Sequence, residues 1–145
     1  MENNTKRVGN SVELNCIAYL FDCGCEILLP YGDNQKYDIV IDYKGKFYRI
    51  QCKHANPTYK EDGTLDYITF KTSWESGRKA RKRVHYSKEA IDFFATFIEN
   101  ECYLVPVEYT SSTIKTLRFQ TPGNGQIAGI SFAKDYRCKD ILEQL

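Results

Sequence analysis

The sequence predicts a single α/β domain, and three observations carry that prediction. A helical pattern of apolar residues runs over positions 8–22. Two pairs of strand-length runs follow, Tyr37–Tyr43 with Phe47–His54 and Ile91–Ile98 with Cys102–Tyr109. A second helical stretch is expected within Ala133–Leu145. The 145 residues fit one domain with one core. A hydrophobic fraction of 42% and an aromatic fraction of 14% can fill that core, which excludes a disordered chain.

The first helix takes its apolar positions from Val8, Val12, Leu14, Ile17, Leu20 and Phe21. Gly24 is placed to stop it, as a left-handed glycine does after a helix C-terminus. Glu26–Leu29 reads as a short strand closed by Pro30, and Tyr31–Lys36 as a loop containing Gly32, Asp33 and Asn34. The next two runs alternate with period two around Lys44 and Gly45, which predicts a tight hairpin with glycine at a positive φ. Tyr43 then faces Lys46, Ile39 faces Ile50, and Ile41 faces Tyr48 on an apolar, core-directed face. Residues 55–86 show weak periodicity and read as an excursion with some local structure. Ile91–Ile98 and Cys102–Tyr109 read as a second hairpin across Glu99-Asn100-Glu101, although the first run also suits a short helix. Residues 122–129 read as a loop.

Net charge is +1, which does not select a partner. Its distribution says more, because Arg78, Lys79, Arg81, Lys82 and Arg83 lie within six consecutive positions. The start of the chain is polar and no run reaches the ~18 apolar residues of a membrane helix. A soluble, cytoplasmic protein without membrane association is expected. The six cysteines lack the C-x-x-C spacing of zinc sites, so they read as reduced and mostly buried thiols.

Chemistry gathers on the second face of the first hairpin. The register places Asp38 opposite Gln51, with Lys53 two residues further along that face. Alternating polar residues also describe an ordinary solvated sheet face. Glu13 tips the balance, because helical spacing puts it on a stripe with Gly9, Ile17 and Leu20, aimed inward. An inward carboxylate is costly unless it is paired or binds a metal. Gly9, one turn earlier, suggests a place where another backbone approaches. Phosphodiester hydrolysis would use such a set: carboxylates hold a hard divalent ion, and an ammonium faces the developing oxyanion. Asp33 is a weaker candidate acid because it sits in a loop before the hairpin.

The helix with Glu13, then Pro30, then Tyr37-Asp38-Ile39-Val40-Ile41, then Ile50-Gln51-Cys52-Lys53 resembles the core of the PD-(D/E)XK nuclease superfamily. More narrowly it resembles the Q-x-K branch that includes group I intron homing endonucleases of this fold. Tyr86–Tyr109, with Ile91-Asp92-Phe93-Phe94 and Leu104-Val105-Pro106, resembles the same branch more loosely. The resemblance implies a restriction-endonuclease-like core, a central mixed β-sheet flanked by helices. It implies Asp38, Gln51 and Lys53 as catalytic residues with Glu13 as an auxiliary acid. It also implies Asp38, Gln51 and Glu13 as ligands of Mg2+, for which Mn2+ may substitute. Gln51 stands where the family usually has an acid, and Tyr37 directly precedes the motif Asp while Pro30 lies well upstream.

The expected activity is metal-dependent, site-specific hydrolysis of double-stranded DNA by a homing-type endonuclease. Arg78, Lys79, Arg81, Lys82 and Arg83 are expected to contact phosphates, and Tyr67, Phe70, Trp74, His85 and Tyr86 to stack on or wedge into DNA. His54 and His85 read as hydrogen-bonding or phosphate-contacting groups rather than catalytic bases. A chain this short offers a small footprint, so a homo-oligomer, dimer or tetramer, is expected. The alternatives are a structure-specific nuclease such as a Holliday-junction resolvase, or a catalytically inactive DNA-binding protein of the same fold.

Overall fold

The computed structural model describes residues 5–76, 82–110 and 113–145. Two α-helices, α1 (Thr5–Asp22) and α2 (Cys138–Glu143), bracket ten strands. The strands are β1 (Glu26–Leu28), β2 (Ile39–Tyr43), β3 (Lys46–Cys52), β4 (Asn56–Tyr59) and β5 (Leu65–Lys71), then β6 (Ser73–Ser76), β7 (Lys82–His85), β8 (Phe93–Ile98), β9 (Glu101–Pro106) and β10 (Ile114–Arg118).

Helix α1 buries Val12, Cys16 and Leu20, a seam of i, i+4 neighbours. Leu14 and Phe21 fit the apolar pattern but face solvent. The helix ends in a Schellman closure, where the Cys25 N–H donates to the Leu20 carbonyl (3.1 Å) and the Gly24 N–H to the Phe21 carbonyl (2.9 Å). Gly24 has φ 93°, a conformation open to glycine and strained for other residues. Gly9 does not serve a close approach: a Cβ built there meets nothing within 4 Å.

The main sheet has the order β1-β2-β3-β8-β9. All neighbours are antiparallel except β3 and β8, which run parallel, so the sheet is mixed. The first hairpin has the expected register, with Tyr43 opposite Lys46, Ile41 opposite Tyr48 and Ile39 opposite Ile50. Its turn needs two left-handed residues, Lys44 (φ 52°) and Gly45 (φ 77°). That pair suits a type I′ turn, whose twist matches the strands. The second hairpin turns on Glu99 (φ 50°) and Asn100 (φ 64°) alone. Glu101 already belongs to β9 and pairs with Ile98, and the run before the turn is strand rather than helix.

The described parts of 55–86, residues 55–76 and 82–86, hold more strand than expected. They contain β4 to β7. Strands β4, β5 and β10 form a three-stranded antiparallel sheet, and β6 and β7 form a hairpin. This segment carries the chain from β3 to the parallel strand β8. The main sheet therefore has two differently built faces. Helices α1 and α2 cover one, where Val12, Cys16 and Leu20 meet Ile39, Ile41, Ile50, Phe93 and Leu104. The three-stranded sheet covers the other, where Ile68, Phe70 and Leu117 meet Phe94 and Val105. A 3-10 turn at Ala133–Tyr136 precedes the short α2.

All six cysteines are free thiols, and Cys16, Cys25, Cys102 and Cys138 are buried. Among the described residues no helix is long and apolar enough to cross a membrane.

Candidate active site

The site lies where β2 begins and β3 ends. The regular ladder of this hairpin stops at Ile39 and Ile50. Beyond it, the Asp38 N–H donates to the Ile50 carbonyl (2.9 Å). The expected Asp38–Gln51 rung is therefore replaced by an irregular end of the ladder. The Asp38 side chain fills the gap, with Oδ2 accepting the Cys52 N–H at 2.8 Å. That bond orients the carboxylate from the backbone of the opposite strand. A few residues of local irregularity thus aim an acid, as bulges beside functional sites commonly do.

Gln51 and Lys53 project from the face of β3 opposite Ile50, because side chains alternate along a strand. Gln51 pairs in register with Phe94 of β8, and Lys53 extends that pairing through its N–H to the Ala95 carbonyl (2.8 Å). The central parallel strand pair therefore fixes both residues. The Gln51 Nε2 donates a long hydrogen bond to the Cys52 carbonyl (3.4 Å), so the amide oxygen is the end turned away from it.

Lys53 rests on an aromatic column. Its Nζ lies 3.3 Å from the Tyr86 hydroxyl and 4.9 Å from the centre of the Tyr86 ring. Tyr86 packs edge-on against Phe94 (5.2 Å) and Trp74 (4.6 Å), and Phe94 packs on Phe70 (5.8 Å). Tyr86 and Phe70 are buried, so they support the lysine and are unavailable for stacking on DNA. Sequence reasoning had no signal for Tyr86 in this role, because the contact spans thirty-three residues.

The electrostatics follow from partial burial. The Asp38 pKa is raised mainly by desolvation, against the lowering effects of the Cys52 N–H and Lys53. The Glu13 pKa is raised by desolvation and then by the negative charge of Asp38. The Lys53 pKa is lowered by desolvation, with Asp38 opposing and Lys71 reinforcing the shift. Two carboxylates that repel each other and one desolvated ammonium thus share a small region. The half-buried Cys52 thiol hydrogen-bonds to the Cys16 sulfur, an interaction that with desolvation holds the Cys52 thiol well above its ordinary range.

Glu13 and Asp38 line an open cleft of about 300 Å³, with the 30–37 loop as its other wall. Asp33 lines the same cleft, although it is fully exposed. Lys53 opens instead into an adjoining cleft of about 280 Å³, lined also by Lys71, Trp74 and Arg83. Gln51 lines neither cleft. The structure thus places Asp38 within electrostatic reach of both Glu13 and Lys53.

The donor set suits a hard divalent cation. Asp38 has one oxygen tied to the backbone and one without a hydrogen bond among the described residues. A cation is also the natural counter-charge for the Glu13–Asp38 repulsion. Among the described residues no three His, Cys, Asp or Glu side chains converge on one point. Two carboxylates, Glu13 and Asp38, are what the acidic cleft offers, a set that leaves positions for water, as magnesium prefers.

Of the expected DNA contacts, Arg78, Lys79 and Arg81 lie outside the described residues. Lys82 and Arg83 are exposed on β7. Tyr67 is half-buried under the Arg118 guanidinium, 5.0 Å from its ring centre. His54 is exposed, and His85 shares a 3.2 Å hydrogen bond with the Thr110 hydroxyl.

A mixed sheet with a helix across one face and Asp, Gln and Lys at the ends of its central hairpin defines a nuclease-type α/β domain. The sequence pattern of the PD-(D/E)XK endonuclease family matches residues 3–139, so the chain belongs to that family. The fold is similar to that of a bacterial homing endonuclease, I-Ssp6803I, with a TM-score of 0.76 and 21% identity over 98% of this chain and 95% of that one. No curated protein matches the chain. The protein is therefore a nuclease of a family that acts on DNA and generally depends on a divalent metal.

Proposed function

We propose that this chain is a magnesium-dependent endonuclease that cuts double-stranded DNA at specific sites, in the manner of a homing enzyme. The observation that carries the reading is the Asp38 carboxylate. It is partly buried, raised in pKa, fixed by the Cys52 N–H, and close enough to Glu13 and Lys53 to act on both. Similarity of fold to a bacterial homing endonuclease supports the homing assignment over junction resolution.

Asp38 and Glu13 would hold the ion through carboxylate oxygens and Gln51 through its amide oxygen. Bound there, a divalent cation would supply Lewis acidity towards phosphoryl oxygen and lower the pKa of a bound water. Manganese meets the same oxygen ligands and is expected to substitute. Lys53 presents its ammonium to charge developing on the phosphoryl group, and Tyr86 holds that ammonium in place. Gln51 has no useful basicity, so it is not a general base.

Residues 1–145 act as one nuclease domain, with DNA contacts contributed by the 55–86 segment. Within it, Lys82 and Arg83 extend from β7 beside the Lys53 cleft, and Arg78, Lys79 and Arg81 are adjacent in sequence. A homo-oligomer, dimer or tetramer, gives this small domain the reach for a long site. Exposed Leu14, Phe21, Leu28 and Leu29 supply apolar surface for it.

Purified protein incubated with supercoiled plasmid carrying candidate sites, with magnesium or with chelator, tests the proposal. Discrete linear products with magnesium alone are expected. Cleavage confined to four-way junctions would favour the resolvase reading, and tight binding without cutting would favour an inactive DNA-binding protein.

A further inference from the structure

The 280 Å³ cleft beside Lys53 is not explained by the metal-holding residues. Its floor is the end of β5 and the β6–β7 hairpin, and its wall is the start of β10. Lys53, Lys71 and Arg83 bring three cations to it, against one carboxylate, Glu75. Glu75 sits opposite Arg83 in the β6–β7 register, and the three cations outnumber the one carboxylate. Ser73 adds a hydroxyl, and Trp74 an aromatic wall. The indole is fixed from both sides, by the Tyr86 ring at 4.6 Å and by the Lys36 ammonium 4.3 Å from its ring centre. Lys36 lies between Gln35 and Tyr37, two residues that line the acidic cleft.

A pair of adjoining clefts, one acidic and one basic, joined through Asp38 and Lys53, fits a polyanionic strand better than a single small ligand. The acidic cleft takes the phosphate that is cut. The basic cleft begins at Lys53, the residue directly after the Cys52 whose N–H binds Asp38. We infer that the cleft of Lys53, Lys71, Ser73 and Arg83 is a second phosphate subsite, which seats a phosphodiester of the DNA strand next to the scissile one, with Lys71 as its anchor. Lys71 is exposed at the end of β5, where its charge is available to a ligand and its loss leaves the core intact. Trp74 would close the subsite against the sugar rather than stack on a base, because Lys36 already covers its ring.

This inference rests on the DNA-cleaving reading, and the experiment separates the two. Binding of the full chain to a 30-base-pair duplex is measured by fluorescence anisotropy over a range of salt concentrations, with calcium in place of magnesium. The log K against log salt slope of Lys71→Gln is expected to be shallower than wild type by about 0.9 per bound protomer, the loss of one phosphate contact. Lys46→Gln, an exposed lysine at the start of β3 and outside the 55–86 segment, serves as the control and should keep the wild-type slope. Circular dichroism melts check that both variants fold. A Lys71→Gln slope equal to wild type overturns the subsite while leaving the nuclease reading intact. A slope lost equally in the Lys46→Gln control also overturns it, since the effect would then be general charge. A wild-type chain that binds no duplex overturns the DNA reading and the subsite together.

Discussion

At the scale of single residues, the site concentrates cost. Asp38 and Glu13 are both raised in pKa on folding, chiefly by burial. A carboxylate raised in this way adds stability below its unfolded pKa, ~3.9 for Asp, and loses it as pH rises through the folded value. At neutral pH both acids therefore subtract stability from the metal-free chain. Asp38→Asn keeps an oxygen for the Cys52 N–H and removes the charge. It is expected to raise the melting temperature at pH 7 in chelator, with the gain shrinking as pH falls towards about 4. Magnesium should reverse the order, because only wild type gains ~2.7 kcal/mol at a hundredfold excess over its dissociation constant. Melts across pH with and without magnesium check both signs; a variant less stable than wild type at pH 7 in chelator would refute the electrostatic account. Gln51 is the second test at this scale. Gln51→Glu is expected to tighten magnesium binding, since a divalent ion gains more from a carboxylate than from an amide. It should not speed cleavage, because the added charge repels the scissile phosphate and draws on Lys53. Calorimetric titration beside single-turnover cleavage separates the effects, and unchanged magnesium affinity would remove Gln51 from the ligands. The proposed site residues were named from local spacing, and the hairpin register behind them holds as far as Ile39–Ile50 and gives way at Asp38. Tyr86 and Lys71 were not legible as parts of the site, since each reaches Lys53 only through the tertiary fold.

Between elements, one staple positions the site. The Arg49 and Asp92 backbones are bound to each other's strands, the Arg49 N–H to Asp92 Oδ2 at 2.8 Å and the Asp92 N–H to the Arg49 carbonyl at 2.9 Å. The Arg49 guanidinium adds contacts to both Asp92 oxygens, at 3.2 Å and 3.4 Å, and to the Lys88 carbonyl at 2.9 Å. These bonds lock the start of the parallel β3–β8 pair, one residue before Ile50 and two before Gln51. Asp92→Ala is expected to cost ~1–2 kcal/mol, at the lower end for charged hydrogen bonds because both side chains are partly exposed. Denaturant unfolding measures it, and a change under ~0.5 kcal/mol would mean the staple is dispensable. Thr96 on β8 carries a buried hydroxyl with no hydrogen-bond partner among the described residues. Thr96→Val is expected to stabilise the protein by ~1 kcal/mol, and a loss of similar size would show that the hydroxyl is satisfied. Period-two alternation gave both hairpins and the register of the first as far as Ile39–Ile50, because a buried face specifies register strongly, while the second turn came out one residue shorter than expected. It failed at Asp38, where a side chain takes over a backbone acceptor and the ladder turns irregular. It also failed over 55–86, where β4 is exposed throughout and only β5 carries a buried face.

For the whole molecule, a second sheet does what a flanking helix layer was expected to do. Helices cover one face of the main sheet, while β4, β5 and β10 cover the other. That arrangement was invisible in the sequence, since β10 pairs with β5 across more than forty residues. It also brings the β6–β7 hairpin beside Lys53, so that candidate DNA contacts and chemistry meet at one edge of the domain. The account's central claim is that Asp38 is the principal anionic ligand for the ion that cleavage requires. Single-turnover cleavage of plasmid by Asp38→Asn beside wild type, in magnesium and at matched DNA occupancy, tests it most directly. The account predicts a rate reduced by at least about 10³, equivalent to ~4 kcal/mol in the barrier, with DNA affinity unchanged. Cleavage by Asp38→Asn at the wild-type rate would contradict it.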